Sequence, residues 1–484
     1  MSQYHLGLNL GHERSAAIVK DGQIVVAIEQ ERLDRQKYSI GFMLQAPGIA
    51  SQMQPPNEAI RYCLDSCGIA LEELASVTAN MPGYDFAPDI MRKIFPAEIA
   101  DKVKALPSHH LAHAYSAYWP SGFDQALVLV ADATGSTDAE HCTESYTLYK
   151  GHGSDLITLH SETVSAHLAG LSTLGFVYEY VTRKAGFVTQ VGNTRVSHAE
   201  AGKLMGLAPF GGEQVSLHPW FKPVENSYSL AISPYDIFLE IAALEKKYDN
   251  GEGKPYLRPY LVDLAYKVQS EIEKALQHIV GVAMAETGLK KLCIAGGVGL
   301  NSVANYQLFK TLGLEDIFIF PAAGDSGIAA GAALWAYASA GGVKRPELKQ
   351  ATLGHPYSAS QITQAVAQFQ DLVEFETLTP ADLLNRSAQA LAAGHIVARF
   401  EGGSEYGPRA LGHRSIMVDP TFQRMKDIVN ARVKFREAFR PFAPVIPQES
   451  VAEVFELETD SPFRGCLKSY SVSKSLRESP HHDA

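Results

Sequence analysis

The chain has 484 residues and a mass of 52.6 kDa, too long for one ordinary hydrophobic core, so two or more domains are expected. A formal net charge of −11 argues against a general nucleic-acid or membrane-surface binder, because phosphate-rich partners need basic surfaces, although one basic pocket is compatible with it. No signal peptide or membrane-spanning stretch is recognisable, and the five cysteines are few and scattered, which predicts a cytoplasmic protein with reduced thiols.

The first thirty residues predict three strands. Residues 4–10, 16–20 and 23–28 are apolar segments, with a polar turn from Gly11 between the first two and a tight Asp21-Gly22 hairpin between the last two. Each half of the actin/hexokinase-type ATPase fold begins in this way, with its turn facing the nucleotide phosphates. Many other α/β proteins begin similarly, so this pattern alone is a weak signal.

A second start of the same kind follows, which predicts a duplicated α/β domain with two lobes around a nucleotide. Residues 125–131 form an apolar strand, 132–138 its polar turn and 144–150 the returning strand. Helices, short strands and glycine turns then alternate over residues 264–287, 291–295, 296–301, 315–321, 324–327 and 328–340.

A separate unit begins after a change of composition at residues 341–346. This glycine- and proline-containing stretch is typical of a surface linker and places the domain boundary between residues 341 and 356. Beyond the boundary, Ser358 is expected to cap a helix that extends to residue 370. Residues 380–393 are expected to form a second helix and residues 395–400 a strand.

A pair of histidines is the first candidate site. His109 and His113 are four residues apart, so on a helix they share one face and can hold a metal ion, whereas His110 points elsewhere. The alternative is a polar helix face with ordinary surface histidines. The segment lacks the glutamate of an H-E-x-x-H pattern, so a zincin protease is not expected.

Two acidic glycine turns form the second candidate site. The turn from Asp132 to Gly135 and the turn around Asp325 each follow a predicted strand. In an ATPase of this fold, such a carboxylate binds a metal that bridges phosphate oxygens, while the glycine lets backbone N–H groups come close. The alternative is that each aspartate caps a helix. If the two histidines and two aspartates converge, they form a mixed nitrogen and oxygen site suited to iron, zinc or manganese.

The third candidate is the glycine turn after the strand at residues 291–295. It matches neither a P-loop nor the dinucleotide fingerprint. Gly296 and Gly297 can let the backbone approach a nucleotide, and Asn301 can contact its ribose or base. Close packing of helix on strand explains the same glycines equally well.

The fourth candidate is a basic segment in a chain that is acidic overall. Its glycines Gly407 and Gly412 indicate unusual backbone turns, and the arginine fork matches phosphate and carboxylate oxygens. A charged surface rim is the alternative. The basic residues of the segment are Arg409, Arg414, Lys434, Arg436 and Arg440.

At these motifs the sequence resembles the O-carbamoyltransferases, a family that includes the tobramycin, cephalosporin and nodulation-factor enzymes. The resemblance runs from the first strand to about residue 463, and the Glu-Tyr-Gly-Pro-Arg-Ala-Leu-Gly stretch is its most specific part. The segments that carry it are residues 202–208, 296–302, 405–415 and 439–444.

The resemblance implies an α/β fold in two parts. Residues 1–350 are expected to form an actin/hexokinase-like (ASKHA) duplicated ATPase-type domain that transfers the carbamoyl group. Residues 351–463 are expected to form an incomplete α+β YrdC-like domain that makes carbamoyl-adenylate.

By the same resemblance, His109, His113, Asp132 and Asp325 ligate a divalent metal, iron in the best-known members. Adenine nucleotide binding is expected at Asp132, Gly135, Gly296, Gly297, Asn301, Asp325, Arg414 and Arg436.

The implied reaction has two steps. The second domain converts carbamoyl phosphate and ATP into carbamoyl-adenylate, with Arg409, Lys434 and Arg440 neutralising phosphate charge. A hydroxyl of a small-molecule or glycan acceptor then attacks the carbamoyl carbon in the first domain. His12 can act there as a base, or it can simply structure its turn. Nucleic-acid and membrane partners are not expected, and the sequence leaves a homodimer open.

The C-terminal stretch departs from the family pattern. Residues 464–484 show neither strand alternation nor a helical apolar face, and they are expected to be an aberrant, disordered tail after a truncation or a shifted reading frame. Weak or absent activity in the full reaction is therefore expected. The competing hypotheses are a small-molecule kinase of the same fold and a metal- and nucleotide-binding remnant with little or no activity.

Overall fold

The structure, a computed structural model, describes residues 3–41, 55–80, 89, 92, 95–167, 170, 172–190, 197–215 and 218–455. Two compact units divide the chain between Lys349 and Gln350, beside the boundary placed at residue 350 from sequence. The tail at residues 464–484 lies outside the described residues.

The first unit begins with a mixed five-stranded sheet of order β3-β2-β1-β4-β5. Strand β1 pairs antiparallel with β2 and parallel with β4, and the Asp21-Gly22 turn closes the β2–β3 hairpin as predicted. Leu6, Leu8, Ala16 and Ile18 of this sheet belong to one buried apolar cluster. The strands are β1 Tyr4–Asn9, β2 Ser15–Lys20, β3 Gln23–Glu29, β4 Leu74–Asn80 and β5 Val103–Ala105.

A second five-stranded sheet repeats the design. Its order is β14-β13-β6-β7-β8, with β6 antiparallel to β7 and parallel to β13. Numbered within its own lobe, each sheet has the order 3-2-1-4-5, so the predicted duplicated α/β architecture is confirmed. These strands are β6 Gln125–Ala131, β7 Cys142–His152, β8 Asp155–Ser165, β13 Lys291–Ala295 and β14 Asp316–Ile319.

Helices pack on the two sheets. Two short hairpins lie between consecutive helices along the chain, one before and one after α5. The predicted helix at 264–287 begins earlier, at Pro259, because proline is favoured in the first turn of a helix. The helices are α1 Glu31–Asp34, α2 Asn57–Cys67, α3 His109–Tyr118, α4 Leu174–Lys184, α5 Ala201–Leu207, α6 Pro234–Tyr248, α7 Pro259–Thr287, α8 Ser302–Leu312 and α9 Ile328–Ser339. The hairpins are β9 Val188–Gln190 with β10 Ser197–Ala199, and β11 Phe221–Pro223 with β12 Leu230–Ile232.

Helix α9 is the centre of the first unit. It packs against α3 and against β1, β2 and β4 of the first sheet, and most of its side chains are buried. A Cβ atom on Gly7 would lie 1.9 Å from the carbonyl oxygen of Ala329, so the strand and the helix touch backbone to backbone. The alanine and glycine content of α9 therefore has a packing reason, and the predicted buried helix is confirmed.

The second unit contains a two-stranded antiparallel sheet and short helices. Ser358 caps its first helix as predicted, with Oγ accepting from the backbone N–H of Gln361 at 3.2 Å. The YrdC-like interpretation of this unit stays a prediction. Its elements are α10 Ala359–Ala367, α11 Pro380–Ala392, β15 Val397–Phe400, β16 Arg414–Met417, α12 Met425–Val429 and α13 Val451–Val454.

In the part of the chain that the structure describes, none of the helices combines the length and the apolar character needed to cross a bilayer.

Candidate functional site

Two histidines project from one face of helix α3. His109 is its first residue and His113 follows one turn later, and both side chains are buried, which excludes ordinary surface histidines. The Oγ atom of Ser108 accepts a hydrogen bond from the N–H of Leu111 at 3.0 Å and caps the helix. The position at which the helix starts therefore sets the direction of both imidazoles.

Two buried aspartates meet these histidines. Asp132 directly follows β6, and Asp325 opens the short turn Asp325–Gly327 between β14 and α9. The Nε2 atom of His113 lies 3.2 Å from Oδ2 of Asp132 and 3.6 Å from Oδ1 of Asp325. The Nε2 atom of His109 lies 3.8 and 3.7 Å from the same two oxygens. The four predicted metal ligands thus come together from three separate parts of the chain.

The cluster fits a bound cation. Within the described residues, Nε2 of His109, Nε2 of His113 and Oδ2 of Asp132 are buried and have no hydrogen-bond partner. Buried polar atoms are normally paired, and a cation bound between these three atoms would satisfy all of them. One atom from each of the four residues lies within 4.8 Å of the others. Two imidazole nitrogens and two carboxylates suit iron, zinc or manganese.

The electrostatics of the cluster couple the imidazoles to the carboxylates. Burial lowers the pKa of His113, but Asp132 and Asp325 outweigh it and raise the pKa to about 9. Burial raises the pKa of Asp132, but His109 and His113 outweigh it and hold the pKa well below its ordinary value. A cation that replaces protons on the imidazoles would take over the same stabilising role toward the carboxylates.

Asn80 orients one of the two imidazoles. The Nδ1 atom of His109 lies 2.8 Å from Oδ1 of Asn80, the last residue of β4. Because a carbonyl oxygen accepts, His109 carries its proton on Nδ1 and directs the Nε2 lone pair into the cluster. A hydrogen-bond partner of this kind is typical behind a metal-binding histidine.

His12 lies on the opposite side of Asp325. Its Nε2 atom is 3.1 Å from Oδ2 of Asp325, and its Nδ1 atom is buried and has no hydrogen-bond partner among the described residues. Burial lowers the pKa of His12, but Asp325 and Glu13 outweigh it and raise the pKa. Asp325 therefore faces the histidine pair with one oxygen and His12 with the other.

Two further groups adjoin His12. The ring of His198 lies 5.3 Å from that of His12 and 4.0 Å from the ring of Tyr38, measured between centroids. Glu13 has a φ of 54°, which is uncommon for a residue with a side chain, and burial raises its pKa to about 7. Strained backbone of this kind is often found at functional sites.

The predicted glycines lie beside the cluster, where close packing requires them. A Cβ atom on Gly296, which has a φ of 87°, would lie 2.2 Å from the carbonyl oxygen of Ala131. A Cβ atom on Gly297 would lie 3.1 Å from Oδ1 of Asp132. A Cβ atom on Gly135 would lie 2.5 Å from Oε2 of Glu144. Close backbone packing explains Gly296, and nearby carboxylate oxygens explain Gly135 and Gly297. A role of these glycines in nucleotide binding stays a prediction.

Asn301 is buried and hydrogen-bonded within the protein. Its Oδ1 atom accepts from the N–H of Ala304 at 3.0 Å and caps helix α8. Its Nδ2 atom donates to Oε1 of Gln269 at 2.9 Å. These contacts give the residue a structural role, and contact with a ribose or base stays a prediction.

Three arginines of the basic segment lie near one another in the second unit. Burial lowers the pKa of Arg436, and the positive charges of Arg440 and Arg409 lower it further, whereas the negative charge of Glu437 raises it. The Oε2 atom of Glu437 lies 4.0 Å from Nη1 of Arg440. The Nε atom of Arg436 donates to Oδ1 of Asn430 at 2.7 Å. Lys434 is exposed at the end of the π-helical turn Asn430–Lys434.

Arg414 has a different environment. Its guanidinium donates to the carbonyl oxygens of Glu401 at 2.7 Å and Gly402 at 2.9 Å, and it lies 3.5 Å from the ring centroid of Phe400. These contacts tie the start of β16 to the end of β15. A role for Arg414 in nucleotide binding stays a prediction.

Glu405 organises the loop that contains the most specific sequence motif. Its buried Oε1 atom accepts from the N–H groups of Leu411 at 2.7 Å, His413 at 2.8 Å and Arg414 at 3.2 Å. The positive φ angles of Gly407 and Gly412, 119° and 107°, confirm the unusual turns expected there.

Sequence reasoning missed Asn80 and Glu405 as parts of these sites. Asn80 ends a buried apolar strand, and a polar residue at the end of such a strand is a signal that was available. Glu405 lies within the motif at residues 405–415, whose basic residues and glycines alone were considered as functional.

Comparisons with known proteins describe the same two parts. The family model described as Carbamoyltransferase N-terminus matches residues 71–334, and the model described as Carbamoyltransferase C-terminus matches residues 388–484. An uncharacterized protein of Synechocystis sp. is 32% identical over 93% of this chain and 77% of its own length. Nodulation protein NolNO of Sinorhizobium fredii is 31% identical over 92% of this chain. The chain spans 64% of that nodulation protein, less than two thirds of its length.

Similar solved structures share low sequence identity with this chain. HypF of T. kodakarensis aligns with a TM-score of 0.45 and 16% identity over 71% of this chain and 49% of HypF. Component A of the (R)-2-hydroxyglutaryl-CoA dehydratase of Acidaminococcus fermentans aligns with a TM-score of 0.40 and 17% identity over 70% of this chain and 99% of its own.

Proposed function

Because the chain belongs to the carbamoyltransferase family, we propose that it is an ATP-dependent O-carbamoyltransferase. The carbamoyl group would come from carbamoyl phosphate, pass through carbamoyl-adenylate and reach a hydroxyl of a small-molecule natural product or glycan. The observation that carries the proposal is the buried convergence of His109, His113, Asp132 and Asp325 in a duplicated α/β unit. A purely structural role would not explain why the facing atoms of His109, His113 and Asp132 have no hydrogen-bond partner among the described residues.

The first unit would perform the transfer step. The four clustered side chains would hold a divalent cation, with Fe(II) as the proposed ion. A cation held there supplies positive charge that offsets the negative charge of the adenylate leaving group. In the transfer, the acceptor oxygen bonds to the carbamoyl carbon, the bond from that carbon to the AMP oxygen breaks, and the acceptor proton needs a base.

His12 is the proposed base. Its Nε2 proton is directed to Oδ2 of Asp325, which leaves the lone pair on the buried Nδ1 atom available to accept a proton from the acceptor hydroxyl. The carboxylate of Asp325 then stabilises the imidazolium that forms. This arrangement follows the general pattern of a base oriented by a carboxylate.

The second unit would make the carbamoyl-adenylate in two steps. Water would hydrolyse carbamoyl phosphate to carbamate and phosphate, and a carbamate oxygen would then bond to the α-phosphorus of ATP as the bond to pyrophosphate breaks. Arg409, Lys434 and Arg440 would neutralise phosphate charge during adenylyl transfer, and Arg436 would contribute to nucleotide binding. The proximity of Arg409, Arg436 and Arg440 supports this assignment, because three cations near one another favour a polyanionic ligand.

The test is a single incubation of the full chain with ATP and carbamoyl phosphate, followed by mass spectrometry for carbamoyl-AMP and metal analysis of the same protein. We expect weak formation of carbamoyl-AMP by the wild type, as the departure of residues 464–484 from the family pattern predicts, and its loss in Arg409→Ala, with Arg386→Ala, an exposed arginine of α11, as the control. Bound metal and nucleotide without carbamoyl-AMP would favour a non-catalytic binding protein. Formation of ADP on a hydroxyl substrate without carbamoyl phosphate would favour a kinase.

A further inference from the structure

A glutamate outside the cation cluster joins the two chain segments that supply three of its four ligands. We propose that Glu144 is a positioning residue of the cation centre, holding the helix that carries His109 and His113 against the turn that carries Asp132. Its Oε2 atom accepts from the N–H of Ser136 at 2.8 Å and from the N–H of His110 at 3.3 Å. One carboxylate oxygen therefore spans both segments.

The start of α3 shows why a carboxylate suits this place. The first N–H groups of a helix have no partner within the helix and carry partial positive charge. Here the N–H of His109 donates to Oγ of Ser136 at 2.9 Å, and the N–H of Leu111 donates to Oγ of Ser108. The N–H of His110, which lies between these two residues in the chain, donates to Oε2 of Glu144. Its negative charge also interacts favourably with the helix terminus.

The turn after Asp132 is fixed by the same residue. The N–H of Gly135 donates to the carbonyl oxygen of Glu144 at 2.9 Å, and the N–H of Glu144 donates to that of Ser136 at 3.0 Å. The Glu144 side chain lies so close to Gly135 that a Cβ atom there would be 2.5 Å from Oε2. The carboxylate thus fills the space between the turn and the helix.

Removal of the carboxylate would affect the ligand spacing. Two backbone N–H groups would lose their acceptor, and each such loss in a partly buried place favours rearrangement toward other partners. The 3.2 Å separation between His113 and Asp132 depends on the relative position of the same helix and turn. Glu144 would therefore set cation affinity without being a ligand. The inference rests on the proposed cation site and not on the transfer reaction.

The test is a Co(II) titration of the metal-free full chain, followed by visible absorption, for the wild type and three variants. We expect Glu144→Ala to bind Co(II) about 10- to 100-fold more weakly, the usual cost of losing a residue that supports metal ligands. The band shape and intensity should also change, which a loss of stability alone would not cause. Glu144→Gln keeps one acceptor oxygen and should lose less affinity. Glu140→Ala, an exposed carboxylate in the same connection, should match the wild type.

The outcomes separate the inference from the function on which it rests. Wild-type affinity and spectrum in Glu144→Ala would overturn the inference and leave the cation site intact. If Glu144→Ala fails to fold, by circular dichroism, Glu144→Gln decides: wild-type behaviour overturns the inference, and weaker binding with a changed spectrum supports it. No binding of Co(II) by the wild type would overturn the cation site itself, and this inference with it.

Discussion

Gly331 of α9 packs directly on the carbonyl oxygen of Ala112, the residue before His113 in α3. A Cβ atom at Gly331 would lie 1.9 Å from that oxygen. Because α9 begins just after Asp325, the contact of these two helix backbones determines how closely Asp325 approaches the histidines. The packing of α9 on α3 and the geometry of the cluster therefore both depend on the small size of Gly331.

The first prediction follows from this contact. Gly331→Ala should destabilise the first unit by about 2–3 kcal/mol, because the helices must separate to admit the methyl group. The same separation should weaken Co(II) binding. The measurements are thermal unfolding and a Co(II) titration.

A matched control exists in another helix. Gly281 lies inside α7, and a Cβ atom there would meet only Cδ2 of Leu312 at 3.7 Å, an ordinary contact. Gly281→Ala should leave Co(II) binding unchanged and stabilise the fold by about 0.5–1 kcal/mol, the usual gain of alanine over glycine in a helix interior. Equal behaviour of the two variants would contradict the argument.

The second prediction concerns Asp132, one of the four proposed ligands of the cation. Asp132→Asn keeps the size of the side chain but removes the negative charge, and a neutral amide is a much poorer ligand than a carboxylate. Co(II) affinity should fall by more than about 100-fold, since the loss of supporting residues alone reaches that size. Asp155→Asn, at an exposed position at the start of β8, should bind like the wild type. Retained affinity in Asp132→Asn would remove Asp132 from the ligand set.

Much of the first unit could be predicted from sequence, because its strands are short apolar runs bounded by glycine and aspartate turns. Residues 125–131 and 291–295 were placed with their observed ends. The four-residue spacing of His109 and His113 indicates their shared helix face, and the acidic glycine turns indicate Asp132 and Asp325 as candidates. The family resemblance implies that the four residues bind one metal ion. The convergence of Asp325 with three residues between positions 109 and 132 depends on tertiary packing, which no local pattern contains.

The supporting residues are harder to predict, since of Glu144 and Asn80 only Asn80, at the end of an apolar strand, has a local signal. Glu144 and Asn80 act through hydrogen bonds to segments distant in the chain, and neither belongs to a spacing pattern. The roles expected for Gly296 and Asn301 illustrate the opposite difficulty. A glycine turn beside a nucleotide and a glycine turn against another strand have the same sequence, and only the contact with Ala131 distinguishes the packing role.

The third prediction is a pH dependence that originates far from the cation cluster. His5 of β1 is buried, and its Nδ1 atom lies 2.8 Å from Oγ of Ser76. Burial, with a smaller effect of Lys104, lowers the pKa of His5 from 6.5 to about 4. Between these two pKa values, the unfolded chain binds a proton at His5 more readily than the folded chain. The contribution of His5 to the free energy of unfolding is therefore fully present above pH 6.5 and is lost as the pH falls toward 4.

Between pH 7.5 and pH 5, this one histidine should cost about 2 kcal/mol of stability. His5→Asn keeps a polar atom near the position of Nδ1 and does not titrate. The loss of stability of the first unit between the two pH values should therefore be about 2 kcal/mol smaller in the variant than in the wild type. The measurement is urea unfolding at both pH values. An identical pH dependence in the two proteins would show that His5 is not responsible.

The last prediction concerns the motif of the second unit. Burial raises the pKa of Glu405, but the N–H groups of Leu411, His413 and Arg414 outweigh it and lower the pKa. Glu405→Gln replaces an anionic acceptor by a neutral one and adds two donors beside three N–H groups, so the loop should lose about 1–3 kcal/mol of local stability. Amide hydrogen exchange over residues 405–415 should accelerate accordingly. Glu401→Gln, an exposed carboxylate that follows β15, should leave the exchange unchanged, because Glu401 contacts the loop through its backbone N–H and carbonyl groups, which the substitution keeps. If exchange in Glu405→Gln equals that of the wild type, the carboxylate does not organise the loop, and the specificity of the motif must come from its arginine instead.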